Sequence, residues 1–230
     1  SILAINMACQ MGYSEQRVFE LGFATLLHDV GMLRVPPEIR NKPSPLSHSE
    51  WLTIQKHPAW ALEYFQKTRG LPHLSALVAF QSHERLDGQG YPSRLRDHLI
   101  HDYAKILHIA DTYDAITSER PYRKALVPYR AMESLLHLAH DQIFKPDFVR
   151  SLLSTLSLFP LGSLVVLSNG RRGRVVAANA ADYTRPWVYL FPTSDLPHPA
   201  AVNLLNNPDL HIASVTEPLT EYETDLWLGF

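Results

Sequence analysis

The sequence predicts a mainly α protein: an all-helical domain over residues 1–158, followed by a small β module and tail over residues 159–230. Three observations carry that prediction. Hydrophobic residues make up 46% and charged residues 19% of the 230, the balance of a folded globular chain. Up to Leu158 the apolar residues recur at helical spacing, with Pro and Gly as punctuation. After Phe159-Pro160 the pattern changes to short β-branched runs joined by a turn dipeptide.

The elements follow in order. Leu3, Met7 and Met11 lie on one face of a first helix, which Gly12 ends as a left-handed cap residue. Ser14 is placed to cap a second helix carrying Val18, Leu21, Phe23 and Leu26 toward His28. Pro36-Pro37 and Pro43-Ser44-Pro45 interrupt the helical pattern. Ser47 and Glu50 have capping-box spacing and start another helix. His57-Pro58 breaks it, because the residue before proline avoids helical geometry, and a further helix runs to Arg69-Gly70. Pro72 suits the first turn of the next, which ends near His83. Asp102 is a candidate cap for a helix carrying Ile106, Ile109, Ala110, Asp111 and Asp114, and two more helices follow Pro128 and Pro146. In the β module, Leu164–Leu167 and Gly173–Val176 read as strands joined through Asn169-Gly170, and Trp187–Leu190 as another, within residues 160–218.

Bulk properties exclude several classes. A net charge of −2 leaves no electrostatic footprint for a nucleic-acid polymer. A single cysteine, Cys9, rules out an internal disulfide framework and fits a reducing, cytoplasmic location. No apolar run approaches the ~20 residues of a membrane span, so no membrane contact is expected. The opening Ser1-Ile2-Leu3-Ala4 reads like the middle of a helix, which suggests a fragment of a longer protein.

The chemistry-bearing residues form islands. The run Ser82-His83-Glu84-Arg85-Leu86-Asp87-Gly88-Gln89-Gly90-Tyr91-Pro92 puts a histidine and two acids before a Gly-rich turn and is poor core material. His28-Asp29 ends the apolar run Leu21–Leu27, where a buried carboxylate is costly unless paired or metal-bound. Asp111 lies downstream. Imidazole and carboxylate are the donors that borderline and hard divalent cations take, so the islands point to one metal centre built from helix ends. With 12 histidines in the chain, chance clustering competes with that reading. His98, His101, His108, His137 and His140 read as bystanders.

His28-Asp29, His57-Pro58, His83-Glu84, Asp87-Gly88-Gln89-Gly90-Tyr91-Pro92, Asp111 and Arg120-Pro121-Tyr122-Arg123 together resemble the HD-GYP family, a branch of the HD phosphohydrolases. The resemblance covers residues 1–158 and rests on several motifs in matching order and spacing. It implies an all-helical HD-type domain with a centre of two or three metal ions, two being expected here, usually iron or manganese. It implies hydrolysis of cyclic di-GMP to a linear dinucleotide or GMP in bacterial signalling. His28, Asp29, His57, His83 and Asp111 match metal ligands, with Asp29 as the bridging acid that holds the attacking hydroxide. Tyr91, Arg120 and Arg123 match positions that contact the dinucleotide. On residue type alone, Tyr91 is equally a turn aromatic and the two arginines a solvated helix end. The implied partners are the cyclic dinucleotide, an upstream receiver or sensory domain with its signalling proteins, and a second copy of the chain.

Three departures bear on activity. Met32 stands where the family has a lysine that would face the scissile phosphate. Ser82 stands where the family has the first of two adjacent histidines. The family's first metal-binding histidine falls upstream of Ser1. Three readings follow: an active cyclic-dinucleotide phosphodiesterase, a degenerate domain that binds metal or nucleotide as a sensor or docking module, and an HD phosphohydrolase acting on other nucleotides.

Overall fold

A computed structural model describes residues 2–119, 125–179 and 181–216. The chain divides into two compact units, one of Ser1–Leu126 with Glu133–Thr155 and one of Val127–Met132 with Leu156–Phe230. The first is helical and the second carries an antiparallel sheet.

The helical unit begins with α1 (Ile2–Gln10), whose Ala4, Met7 and Ala8 are buried. Gly12 takes φ +73° and sends the chain into α2 (Glu15–Leu27). Ser14 occupies the cap position of α2, but its side chain makes no capping hydrogen bond. Helix α2 runs straight into a 3-10 helix, His28–Arg34, followed by the short α3 (Pro37–Arg40). Helix α4 (His48–Ile54) has the expected box, in which Ser47 Oγ accepts from Glu50 N–H and the Glu50 carboxylate accepts from Ser47 N–H. Helix α5 (His57–Lys67) starts at His57, because Pro58 needs no N–H partner in a first turn. Helix α6 (His73–Gln81) follows Pro72, and the long loop after it leads to α7 (Asp102–Thr117). The expected cap of α7 is displaced by one residue. The His101 side chain accepts from Tyr103 N–H, whereas the Asp102 carboxylate is taken by Lys105 at 3.2 Å. Helices α8 (Pro128–His140) and α9 (Pro146–Leu156) complete the α elements.

The core of this unit is built from Met7, Leu21, Ala24, Val78, Tyr103, Ile106, Ile109 and Leu152, all almost wholly removed from water. A second apolar cluster joins Ala61 and Phe65 of α5 to Ala79 of α6, with Leu27, Val30, Leu71 and Ala76 around it. It clamps together the end of α2, the 3-10 helix, α5 and α6. Those are the elements from which most of the motif residues project.

The second unit holds β1 (Leu164–Leu167), β2 (Arg172–Ala177), β3 (Trp187–Leu190), β4 (Ala200–Asn203) and β5 (Ile212–Thr216). They form one antiparallel sheet in the order β4-β3-β2-β1-β5. Val166 pairs with Arg172, and Leu167 N–H donates to Arg171 O, so the first hairpin turns through Ser168, Asn169 and Gly170. Gly170 takes φ +81°, the left-handed position that a loop of this length requires. The sequence pattern did not anticipate β4 and β5. Val165, Leu167, Val175, Val188, Leu190 and Leu204 form this unit's core.

Candidate metal centre

Four separated segments of the helical unit meet at one cleft. His28 and Asp29 come from the start of the 3-10 helix, His57 from the first turn of α5, His83 from just beyond α6, and Asp111 from the middle of α7. Two glycines permit the approach. A Cβ at Gly31 would lie 2.0 Å from the His57 carbonyl oxygen and 2.7 Å from Ala61 N, so only glycine lets the 3-10 helix rest on the start of α5. A Cβ at Gly90 would lie 2.4 Å from Arg85 N and 2.6 Å from the His83 carbonyl oxygen, so the Gly-rich turn folds flat on the backbone that carries His83.

The geometry is that of a donor set around cations. One oxygen, Asp29 Oδ1, lies 3.4 Å from His28 Nε2 and 3.4 Å from His57 Nε2. His57 Nε2 is 3.0 Å from His83 Nε2, and His28 Nε2 is 3.8 Å from Asp111 Oδ1. Donors held at ~2.0–2.2 Å from one ion stand about 3.0–3.5 Å from each other, which the Asp29–His57 and His57–His83 pairs match, and the donor atoms of all three residues lie within 4.8 Å of one another. His28 and His57 each direct Nδ1–H at a backbone carbonyl, Thr25 at 2.9 Å and Ile54 at 2.8 Å. That fixes the tautomer and leaves Nε2 as a lone-pair donor facing the carboxylates, as metal-binding histidines are arranged. His28 Nε2 is buried without a hydrogen-bond partner. An orphaned imidazole nitrogen between two acids is costly for packing alone and natural for a ligand. The residues present therefore fit a divalent metal.

The electrostatics agree. Burial alone would raise the Asp29 carboxyl, but its contact with His57 and the charges of His28, His57 and His83 outweigh burial and hold it at about 2. Burial also opposes ionisation of Asp111, and His28 reverses that, keeping it below the usual carboxylate range. For His28, burial opposes the charged ring, yet the facing Asp111 and Asp29 lift it above its ordinary value. Burial, with His57 and His108 close by, pushes His83 down to about 3. The cleft thus combines ionised acids at Asp29 and Asp111 with a neutral His83 ring, and the charge that Asp29 and Asp111 favour on His28 is the charge a bound cation would supply in its place.

Tyr91 stacks on the His83 ring, with centroids 4.9 Å apart and planes 12° from parallel, and meets the edge of Trp51 at 6.0 Å. Burial, then Asp29 and Asp111, raise its phenol so that it stays un-ionised. One face of Tyr91 is therefore already used by His83. Beside it opens a cleft of about 580 Å³ whose lining includes Gln55, Lys56, Gln89, Tyr91 and Arg94. Arg120 and Arg123 lie outside the described residues.

Two acids of the motif run serve the loop instead of the cleft. Glu84 is buried, and its carboxylate accepts from Ser93 N–H at 2.6 Å and Leu95 N–H at 2.8 Å. Asp87 pairs with Arg85 at 2.6 Å and accepts from Gln89 N–H at 2.9 Å. Sequence reasoning missed Glu84 as the anchor of the Tyr91 turn; the signal was an acid directly after the buried end of a helix. It also set His108 aside as a bystander. In the structure the His108 ring lies 6.3 Å from the His83 ring and 5.0 Å from Phe144, and its Nδ1–H donates to the Glu84 carbonyl. Ser82 is buried, and its Oγ donates to Ala79 O at 2.9 Å, so it offers the cleft nothing.

The comparisons with known proteins agree with this architecture. The HD domain family model matches residues 1–146, and the chain belongs to that family. A cyclic di-GMP phosphodiesterase of Pseudomonas aeruginosa is 35% identical over 190 residues, covering 82% of this chain and 45% of that protein. A 3'3'-cGAMP-specific phosphodiesterase of Vibrio cholerae is 36% identical over 157 residues, covering 67% of this chain and 33% of that protein. The solved structure of an HDG"Y"P protein from Bdellovibrio bacteriovorus shares the fold, with a TM-score of 0.54 and 20% identity, over 65% of this chain and 47% of that one. The chain spans less than half the length of these relatives. No helix among the described residues is long and apolar enough to cross a membrane.

Proposed function

We propose that the chain carries the catalytic domain of a metal-dependent cyclic-dinucleotide phosphodiesterase, opening cyclic di-GMP to the linear dinucleotide or to GMP. The observation that supports this most is the single Asp29 oxygen 3.4 Å from both His28 Nε2 and His57 Nε2, with His83 3.0 Å beyond. His28, Asp29, His57, His83 and Asp111 would hold two divalent cations, iron or manganese, which when bound would lower the pKa of a shared water and neutralise phosphate charge. Asp29 orients the attacking oxygen, because its carboxylate is ionised and lies between the two imidazoles. The Thr25 and Ile54 carbonyls hold Nδ1 of the two rings and so keep Nε2 aimed at the carboxylates. Tyr91 presents its free face and hydroxyl to the dinucleotide. Lys56 and Arg94 in the adjoining cleft supply positive charge to the second phosphate. Arg120 and Arg123 add guanidinium contacts by resemblance to the family.

The second reading, a metal- or nucleotide-binding module without turnover, is favoured by Met32 and Ser82, which remove a cation and an imidazole. One experiment separates the two. The manganese- or iron-loaded chain is incubated with cyclic di-GMP and with 3'3'-cGAMP, products are resolved by chromatography, and Asp29→Asn is the control. Linear dinucleotide or mononucleotide, absent with Asp29→Asn, supports the enzyme. Saturable nucleotide binding without product supports the module.

A further inference from the structure

The cleft beside Tyr91 carries more positive charge than one phosphodiester needs. Lys56 and Arg94 line it, and no acid among the described residues does. Neither side chain has an ion-pair or hydrogen-bond partner among the described residues, whereas Arg34, Arg85 and Arg171 each pair with a carboxylate. The cleft adjoins the metal centre at two points. Lys56 directly precedes His57, and Tyr91 both lines the cleft and stacks on His83. A volume of about 580 Å³ is ordinary for a small-molecule site.

Arg94 stands there against the local backbone preference. It takes φ +56°, the left-handed region in which a Cβ is disfavoured. Gln142 and Ser157 share that region, but each lies just past the end of a helix, where such a residue closes the last turn. Arg94 closes no helix and lies in the loop between α6 and α7. The buried Glu84 carboxylate enforces its conformation by accepting from the N–H groups on either side, Ser93 at 2.6 Å and Leu95 at 2.8 Å. Asp87 and Arg96 bridge the base of the same loop. Glycine would take this backbone without strain, so an arginine there points to a task for its side chain. The charge count says which task. A phosphodiester carries one negative charge, whereas a terminal phosphate carries about −1.5 to −2 near pH 7. Two unneutralised cations match the terminal phosphate, with the guanidinium fork on two oxygens and the ammonium on a third.

We propose that Lys56 and Arg94 form a subsite for a terminal phosphate, which holds a linear, 5'-phosphorylated dinucleotide with its remaining diester toward the metal centre. The inference rests on reading the cleft as part of a cyclic-dinucleotide site, and it adds what that site prefers. The two cations hold the second phosphate of the ring through one charge and a terminal phosphate through nearly two. The first product of ring opening therefore competes with the ring for the site, and Arg94 is the residue that sets the preference.

The test reads binding, not turnover. Calorimetry on the metal-free chain follows linear diguanylate with a terminal 5'-phosphate, the same dinucleotide without it, and cyclic di-GMP. Recovered nucleotide is chromatographed to show that it is uncut. Arg94→Gly, Arg94→Lys and Lys56→Gln are measured alongside, with Tm by circular dichroism and manganese content after loading and desalting. The parent should bind the phosphorylated linear form about tenfold or more tighter than the unphosphorylated one. That preference should shrink as salt is raised, because both cations are exposed. Arg94→Gly should bind the two linear forms alike, with manganese content kept and Tm equal or higher, since glycine relieves the backbone. Arg94→Lys and Lys56→Gln should keep a reduced preference. Equal binding of the two linear forms by the parent overturns the proposal. So does a preference that survives in Arg94→Gly, or one lost together with Tm and manganese, which would make Arg94 a loop-folding residue. If cyclic di-GMP binds while the terminal phosphate makes no difference, the subsite fails and the proposed function is untouched. A chain that binds none of the three nucleotides counts against both.

Discussion

Replacing Gly31 with alanine should dismantle the centre without touching a ligand. The new Cβ would sit 2.0 Å from the His57 carbonyl oxygen and 2.7 Å from Ala61 N, and 3.0 Å is the floor for such contacts. Both obstacles are backbone, so no side-chain rotation relieves them. The 3-10 helix must therefore retreat from α5 by about 1 Å. Asp29 is two residues away on that helix, and its 3.4 Å spacing to His57 would stretch accordingly. A metal–oxygen bond is only ~2.0–2.2 Å long, so a displacement of this size removes Asp29 from one of two shared ions. Overpacking of this kind costs ~1–3 kcal/mol, which corresponds to a fall of roughly 2–12 °C in Tm for a domain of this size. Metal affinity should fall at least tenfold, the lower end of what displaced supporting contacts cost. The assay is thermal unfolding by far-ultraviolet circular dichroism, with metal content measured on the same samples. Gly22→Ala is the matched control. Its Cβ meets only the tip of Ile5 at 3.4 Å inside α2, so it should be neutral or stabilising by roughly 0.5–1 kcal/mol. A Gly31→Ala protein with the parent's Tm and full metal content would refute the reasoning.

Other perturbations reach different parts of the cleft. Asp29→Asn should lose metal and any hydrolysis together, since it removes the one carboxylate that, among the described residues, faces both His28 and His57; parental metal content in that variant would contradict the bridging role. Glu84→Gln turns an amide donor toward one of two backbone N–H groups, and should cost ~1–3 kcal/mol and raise KM by loosening the Tyr91 turn, with metal content kept; an unchanged KM would show that the anchor does not govern substrate contact. Tyr91→Ala should weaken nucleotide binding by ~1–3 kcal/mol, about 5- to 150-fold in Kd by calorimetry, and binding equal to the parent's would remove Tyr91 from the site. The metal-free chain should lose stability on acidification. Burial first, with positive neighbours, lowers His83 to about 3 and His108 to about 4, so below pH 6.5 the unfolded chain takes up protons that the folded chain refuses. His28, raised by Asp111 and Asp29 against burial, acts oppositely, with its contribution fully present below pH 6.5 and lost as pH rises through its folded value. Between pH 6 and pH 5 the two buried rings dominate and should remove on the order of 2–3 kcal/mol; a Tm that rises over that interval would contradict the neutral, buried imidazoles.

The sequence by itself determined the helical class of the first unit, the first three strands, and the chemical types and order of the donors. Each of these is written locally. Apolar spacing sets a helix face, β-branched runs set strands, and Ser47 with Glu50 sets a cap that the structure reproduces. Resemblance over several motifs supplied the family, because that signal lies in order and spacing and needs no coordinates. The tertiary structure alone decided the distances. Residues 28, 57, 83 and 111 meet because the cluster around Ala61, Phe65 and Ala79 draws α5, α6 and the 3-10 helix together, and Gly31 and Gly90 leave room for backbone where a side chain would stand. It also decided which polar residues face the cleft. Glu84 looked like part of the donor run and turned to hold a loop, Ser82 turned to its own helix, and His108, three residues before Asp111 on α7, turned to the Glu84 carbonyl. Strands β4 and β5 escaped for a related reason. Their residues are only partly covered, so their alternation is weak, and pairing with β3 and β1 makes them strands. Local pattern records which face of an element is apolar; which elements that face meets, and what their polar ends then confront, depends on packing between segments far apart in the chain.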